Sequence, residues 1–439
     1  MSFQKFWIKF SIVFLTIFFS CGFLQAQDTA YVRNVVNALT SPEMYGRAYI
    51  NKGDSLAADF IASEFQKLNL LSFENDYYQN FQISTNTFPG KMDLSINNSI
   101  LLKPFFDFRI VPSSKGIQGT FELKEIPYKE LTSVRKLRKR LSKNDYTNSI
   151  IYFDFSKASD KERKKLEFQN QKMLAQINIF ESKGILIIDK TLPAWGLSSG
   201  RTLRPDILIN VLADNFPKKP KTIRLNIENQ YYPSYKTQNV MAYIKGKHQP
   251  DTFFVLGAHY DHLGMMGSDV YFPGANDNAS GTAAVLDLAR YYIQPKNQPY
   301  YSMAFFLFSA EEAGILGSKF YTENPYFPLQ NIKFMLNLDM VGAGEKGLAV
   351  VNAIPNEKAY NIIDSLNTEY KYFPTLRKRG EAANSDHYFF HAQGVPAFFF
   401  YTMGDSGPYH HPHDDSNRLT LSAYSNLFEI ITKFVEIYR

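Results

Sequence analysis

The sequence predicts an α/β fold: a mixed central sheet flanked by helices on both faces, with an inserted β-rich accessory domain. Three observations predict it. Nearly continuous apolar runs at Phe253 to Leu256, Met303 to Phe308, Lys333 to Leu338 and Ala397 to Tyr401 read as strands buried on both faces. Helical patterns over Gly281 to Tyr292, Ala359 to Tyr370 and Leu421 to Tyr438 alternate with them, as in a sheet covered on two sides. Between about 111 and 228 the texture changes to short β-rich pieces around a charged helical stretch.

Taken in order, residues 1–26 read as a secretory signal: Lys5 and Lys9 precede the apolar stretch Ile8 to Phe19, and Leu24-Gln25-Ala26 offers a small-residue cleavage site. The stretch is too short to span a membrane comfortably. The sole cysteine, Cys21, lies within it and is either discarded or retained as a lipid anchor; Phe18-Phe19-Ser20 is a poor match to the lipoprotein context. Export to the periplasm or beyond is expected, with no transmembrane segment after cleavage and no disulfides in the mature chain. Residues 27–110 form the first part of the main domain. Tyr31 to Leu39 and Ser55 to Leu70 carry apolar residues at helical spacing, Pro42 and Gly46 interrupt the chain between them, and Phe81 to Phe108 reads as short strands. Residues 111–228 are the insert, with strands at Gly119 to Leu123, Ile150 to Phe155 and Gly184 to Ile188 and a helix over Lys161 to Ile177. It has no histidine and reads as lacking chemistry of its own. Residues 229–439, opening with the strand Asn239 to Ile244, hold the rest of the main domain.

Composition narrows the function classes. A hydrophobic fraction of 45% and a charged fraction of 21% are those of a globular protein. Loss of Lys5 and Lys9 takes the formal charge from +6 to +4, too small an imbalance to argue for nucleic acid. The basic run Arg135 to Arg140 reads as a solvated helix face.

The chemistry gathers where apolar runs end. His259 and Asp261 follow one strand, Glu311 and Glu312 another, and Asp339 a third; Asp277 and the histidines His410, His411 and His413 lie in loops. Sites in open α/β sheets form outside the carboxyl ends of the strands, so these residues are expected at one edge. That many carboxylates in one cleft require cations. Imidazole and carboxylate are ligand types zinc accepts, which makes two zinc ions the economical reading. Ser385-Asp386-His387 cannot converge as a triad, because consecutive residues do not do so. His262 and His387 read as hydrogen-bonding or structural residues.

In type, order and spacing these motifs resemble the co-catalytic di-zinc aminopeptidase family, which includes secreted bacterial leucyl aminopeptidases, glutamate carboxypeptidase and glutaminyl cyclase. The resemblance covers about 29–110 and 229–439, and the insert resembles a protease-associated domain in position and texture. It implies that His259 and Asp339 hold one zinc, Glu312 and His410 the other, and that Asp277 bridges them through a cis Asp277–Asn278 bond. It also implies that Asp261 orients the His259 imidazole, that Glu311 is the general base, and that Tyr409 helps hold the oxyanion. His410 is selected by the family pattern of His, any residue, Pro, any residue, Asp, leaving His411 and His413 on the rim. The expected activity is hydrolysis of peptide substrates, most naturally by an aminopeptidase. A glutaminyl cyclase-like acyltransferase and a non-catalytic peptide-binding homologue are the alternatives, and the full ligand set favours hydrolysis. Oligomeric state and residue preference are not legible.

Overall fold

The computed structural model describes residues 28–162, 181–198 and 203–439. The signal segment with Cys21, and all but the start of the Lys161 to Ile177 stretch, lie outside the described residues.

An eight-stranded sheet runs in the order Tyr78–Thr87, Gln230–Ile244, Tyr301–Phe308, Gln249–His259, Ile332–Leu338, Ala397–Met403, Gly347–Val351, Leu376–Lys378. Its centre is parallel: Gln249–His259 pairs in that sense with both Tyr301–Phe308 and Ile332–Leu338, and Ile332–Leu338 with Ala397–Met403. All eight residues of Tyr301–Phe308 are buried, which is why this strand shows no polar alternation. The period of two shows up in the packing. Phe254, Leu256 and Ala258 face one core together with helices Thr29–Leu39, Ser280–Tyr292 and Tyr424–Ile437, whereas Phe253 and Val255 face a second core with Tyr321 and Phe390 of Leu316–Glu323 and His387–Ala392. The helix Thr29–Leu39 starts at Asp28, whose carboxylate accepts from Tyr31 N at 3.0 Å, and it buries Val32, Val35, Val36 and Leu39 at helical spacing.

A second eight-stranded sheet has the order Ile100–Leu102, Met92–Ile96, Thr222–Ile227, Ile117–Glu125, Ser149–Asp154, Gly184–Asp189, Ile207–Leu212, Phe108–Ile110. It takes strands from 92–110, ahead of the expected boundary at 111. Alternation identifies strands in that stretch but not their partners, and pairing with Thr222–Ile227 and Ile207–Leu212 assigns them to this sheet. Its core runs on into Leu263, Met266, Val270 and Phe272, in the loop that follows His259. Arg135, Lys136 and Lys139 of the basic run are exposed on the helix Val134–Leu141.

No helix among the described residues is long and apolar enough to cross a membrane.

Phe334 joins the central strands to the C-terminal helix: its buried ring lies against Phe254, Phe398, Phe434 and Tyr438 at centroid distances of 5.7, 4.9, 5.3 and 4.9 Å. Phe334→Ala is expected to cost about 3–5 kcal/mol, read as a lower urea midpoint with the slope unchanged. A loss within about 0.5 kcal/mol, the scale of surface substitutions, would show that this packing is not what holds the helix.

Candidate metal centre

Parallel pairing brings the three strand ends that carry candidate ligands together. His259 is opposite Phe308, so the Ser309–Glu312 turn begins beside the imidazole, and Asp339 follows the neighbouring strand Ile332–Leu338. His259 Nε2 lies 3.4 Å from Asp277 Oδ1 and 3.5 Å from Asp339 Oδ1. His410 Nε2 lies 3.3 Å from Asp277 Oδ2 and 3.2 Å from Glu312 Oε2. Asp277 therefore stands between two imidazole–carboxylate groups, one oxygen toward each. The Asp277–Asn278 peptide bond is cis. Tyr409 stacks on the His410 ring at 3.7 Å and is 56% exposed, at the mouth of the cluster.

Each ligand-bearing loop is tied down by polar side chains. Asp261 accepts from the backbone N–H groups of Glu311 and Glu312 at 3.1 and 3.3 Å. Its carboxylate is 3.6 Å from His259 Nδ1, which is closer, at 3.2 Å, to the Asp261 backbone carbonyl. The Asp261 side chain thus holds the glutamate turn, and its main chain meets the imidazole. Asp414 does the same for the bridging loop, accepting from Asn276 N and Asp277 N at 2.9 and 3.0 Å. Asn278 donates to Leu338 O and accepts from Gly281 N, binding this loop to the strand that leads to Asp339. Gly281 sits so close that a Cβ there would come within 2.2 Å of Leu338 O. Ser385 Oγ donates to Asp339 Oδ2 at 2.7 Å and accepts from Asn337 Nδ2.

Two participants were not singled out from the sequence. Arg47 is fully buried and donates to the carbonyls of Tyr260, Leu39, Pro273 and Gly274. Burial lowers its pKa to about 10 against the opposing pull of Asp414, Asp277, Asp261 and Glu312, so it stays cationic beside the carboxylates. Gly46, in the left-handed region at φ 62°, brings the chain to within hydrogen-bond reach of Gly264 and so delivers Arg47. Nothing local in the sequence marks that arginine. His262, which the sequence reads as a hydrogen-bonding or structural residue, meets the cluster with Nδ1 2.8 Å from Glu312 Oε1. The second such participant is Trp195, in the insert, whose backbone carbonyl is 2.7 Å from His410 Nδ1. The insert therefore does reach the site, through a main-chain atom that residue identity cannot reveal.

The donor set fits metal ions. Ligand atoms of His259, Asp277 and Asp339 lie within 4.8 Å of one another, as do those of His262, Asp277 and Glu312. His410 Nε2 and His262 Nε2 are buried without a directed hydrogen bond. The carboxylates also act on the histidines. Burial favours neutral His410, yet Glu312 and Asp277 raise its pKa to about 11. His259 is likewise driven well above its usual range, burial being outweighed by Asp339, Glu311, Asp261 and Asp277. Burial and the Asp277 charge act to raise the Glu312 pKa, but His410 and His262 bring it down to about 2. Glu311 goes the other way: burial, reinforced by Asp386, Glu312 and Asp339, raises it well above an ordinary carboxylate despite His259. Burial likewise raises Asp386 to about 7, with Asp261 and Asp339 adding to it.

Residues 239–435, which contain the whole cluster, match the sequence model of Peptidase family M28. This part of the chain is similar to peptidase family M28. Among curated relatives, aminopeptidase YwaD of Bacillus subtilis is 29% identical over 229 residues, 50% of this chain and 47% of that protein. A probable zinc metalloprotease of Pyricularia oryzae is 34% identical over 116 residues, 26% and 23% of the two chains. The chain thus spans about half or less of the length of these relatives. Solved structures match most of the chain in fold. A Peptidase M28 precursor from Shewanella amazonensis has a TM-score of 0.69 at 17% identity, covering 94% of both chains. BSAP, a zinc aminopeptidase from Bacillus subtilis, has a TM-score of 0.66 at 19% identity, covering 92% of this chain and 93% of its own.

The positions of the three clustered histidines separate them. His410 faces Asp277 and Glu312, whereas His411 and His413 meet the rings of Phe105 and Phe106 on the rim. His410→Ala is expected to lose one bound metal by elemental analysis, and His411→Ala and His413→Ala none. Loss of a metal on removing His413 but not His410 would reverse the assignment.

Proposed function

We propose that the protein is an exported zinc-dependent exopeptidase, an aminopeptidase that releases N-terminal residues from peptides. The observation that carries this reading is Asp277 standing between His259–Asp339 and Glu312–His410, with Glu311 beside them. His259, Asp277 and Asp339 would hold one zinc, and Asp277, Glu312 and His410 the other. His410 is preferred to His262 for the second ion because its Nδ1 already meets a carbonyl, the usual arrangement in metal-bound histidines. His262, turned to Glu312, would orient that ligand. The M28 match and the relatives named as aminopeptidases and zinc metalloproteases support the reading. The segment 1–26 supports export.

Bound zinc would supply Lewis acidity toward the scissile carbonyl and toward a water nucleophile. The chain's own part is to position and to move protons. Glu311 accepts the water proton and returns it to the leaving amine, a task suited to a carboxylate whose proton affinity its surroundings raise. The Asp261 cap on Glu311 N and Glu312 N keeps base and ligand in fixed relation. Tyr409, at the mouth, would donate its phenol to the developing oxyanion. The complete ligand set favours hydrolysis over a cyclase or a peptide receptor.

Exhaustive chelation is expected to abolish release of N-terminal residues from a peptide mixture, and zinc to restore it. N-acetylated peptides should resist cleavage. Activity that persists with no metal detectable would sink the reading. Glu311→Gln should keep both zincs and lower kcat by roughly 100- to 10,000-fold with little change in substrate affinity; undiminished turnover would assign the base elsewhere.

Zinc uptake must also displace the protons held on His259 and His410. Because both pKa values are raised in the metal-free protein, the apparent zinc affinity is expected to fall as pH falls through neutrality and below. Calorimetry in buffers of different ionisation enthalpy should register proton release on zinc binding. Binding heats independent of the buffer would contradict it.

A further inference from the structure

We propose that Trp195 is a positioning residue for His410, so that the second sheet completes one half of the metal centre; this rests on the di-zinc reading above. His410 Nδ1 lies 2.7 Å from the Trp195 carbonyl, while Nε2 of the same ring faces Asp277 and Glu312. A carbonyl only accepts, so Nδ1 carries the proton and Nε2, turned to Asp277 and Glu312, is the nitrogen left to a metal. Acceptors of this kind fix both the tautomer and the ring orientation of a metal-binding histidine.

The carbonyl is held from several directions. The Trp195 ring is 3% exposed and stacks on Phe272 at 4.9 Å and 19°. Its indole Nε1 donates to Ile110 O at 2.9 Å. Two residues earlier, the Pro193 carbonyl accepts from the Arg109 guanidinium, which itself lies 3.9 Å over the Phe105 ring. Residues 192–197 belong to no strand or helix, so these side-chain contacts set where the carbonyl stands. Arg109 and Ile110 come from the edge strand of the second sheet, Phe105 from the turn before it, and Phe272 from the loop after His259. Tyr409 covers the His410 ring on one face, and the Trp195 carbonyl fixes its rotation about the other axis. The carbonyl acts on His410 alone; His259 has its own acceptor in the Asp261 main chain.

The test is a stepwise zinc titration of the metal-free full-length protein by calorimetry and by competition with a chromophoric chelator. His410→Ala identifies the step that belongs to the His410 site. Trp195→Ala is expected to weaken that step by roughly 10- to 100-fold and to leave the other within about twofold. Trp195→Phe keeps a ring on Phe272 but loses the bond to Ile110 O, and should fall between wild type and Trp195→Ala. Turnover lost in either variant should return at excess zinc. Arg109→Ala, which leaves the indole intact, supplies the comparison if Trp195→Ala does not fold; it too should weaken the His410 step selectively. Wild-type affinities for both steps in the folded variants, or equal weakening of both, would overturn the proposal while leaving the di-zinc reading standing. Wild-type protein that takes up no zinc would overturn both.

Discussion

The constraint on which this structure depends is electrostatic. Asp261, Asp277, Asp339, Asp386 and Asp414 are buried at one sheet edge with Glu311 and Glu312 beside them, and such a group is stable only if cations or protons compensate it. Arg47 supplies one cation, its guanidinium reaching carbonyls rather than the carboxylates themselves, and the carboxylates favour the charged forms of His259 and His410. These are the groups a divalent ion would relieve. Stability and metal binding are therefore linked, since an ion bound only by the native state shifts folding by mass action.

The same carboxylates do two jobs. Asp277, Glu312 and Asp339 turn oxygens toward imidazoles, whereas Asp261 and Asp414 turn theirs to backbone N–H groups of the ligand-bearing turns. A carboxylate that caps a turn fixes several backbone atoms, and with them the side chain projecting from it. Asp261 lies two residues from one histidine and Asp414 four from another, so each histidine segment also braces a neighbouring loop. Ser385 completes the set by orienting Asp339. Its place in Ser385-Asp386-His387 thus belongs to the support of Asp339 and not to a triad.

The second sheet is less separate than its texture suggested. Its core continues into Leu263, Met266, Val270 and Phe272, and the segment joining these residues to His259 is short. Burial of these side chains fixes the loop that follows the first histidine, while Trp195 meets the last one. An inserted unit packed this way restricts the freedom of both ends of the site.

By itself the sequence determined the strand and helix alternation of the main sheet and the residues that gather at its carboxyl edge. Those depend on local periodicity and on residue type, both of which a single chain displays: the apolar run Met303 to Phe308 reads as a strand buried on both faces, and Glu311-Glu312 follows its carboxyl end. The Asp277 bridge and the choice of His410 came through the resemblance. Tertiary structure alone decided which sheet takes the strands at 92–110, because pairing is a long-range contact that alternation does not encode. It also decided that Arg47 and Ser385 serve the cluster, since they arrive from segments distant from the other cluster residues, and which groups Asp414 and His262 meet there. Least legible of all was the Trp195 carbonyl, because every residue carries one, and only the fold determines which of them an imidazole meets.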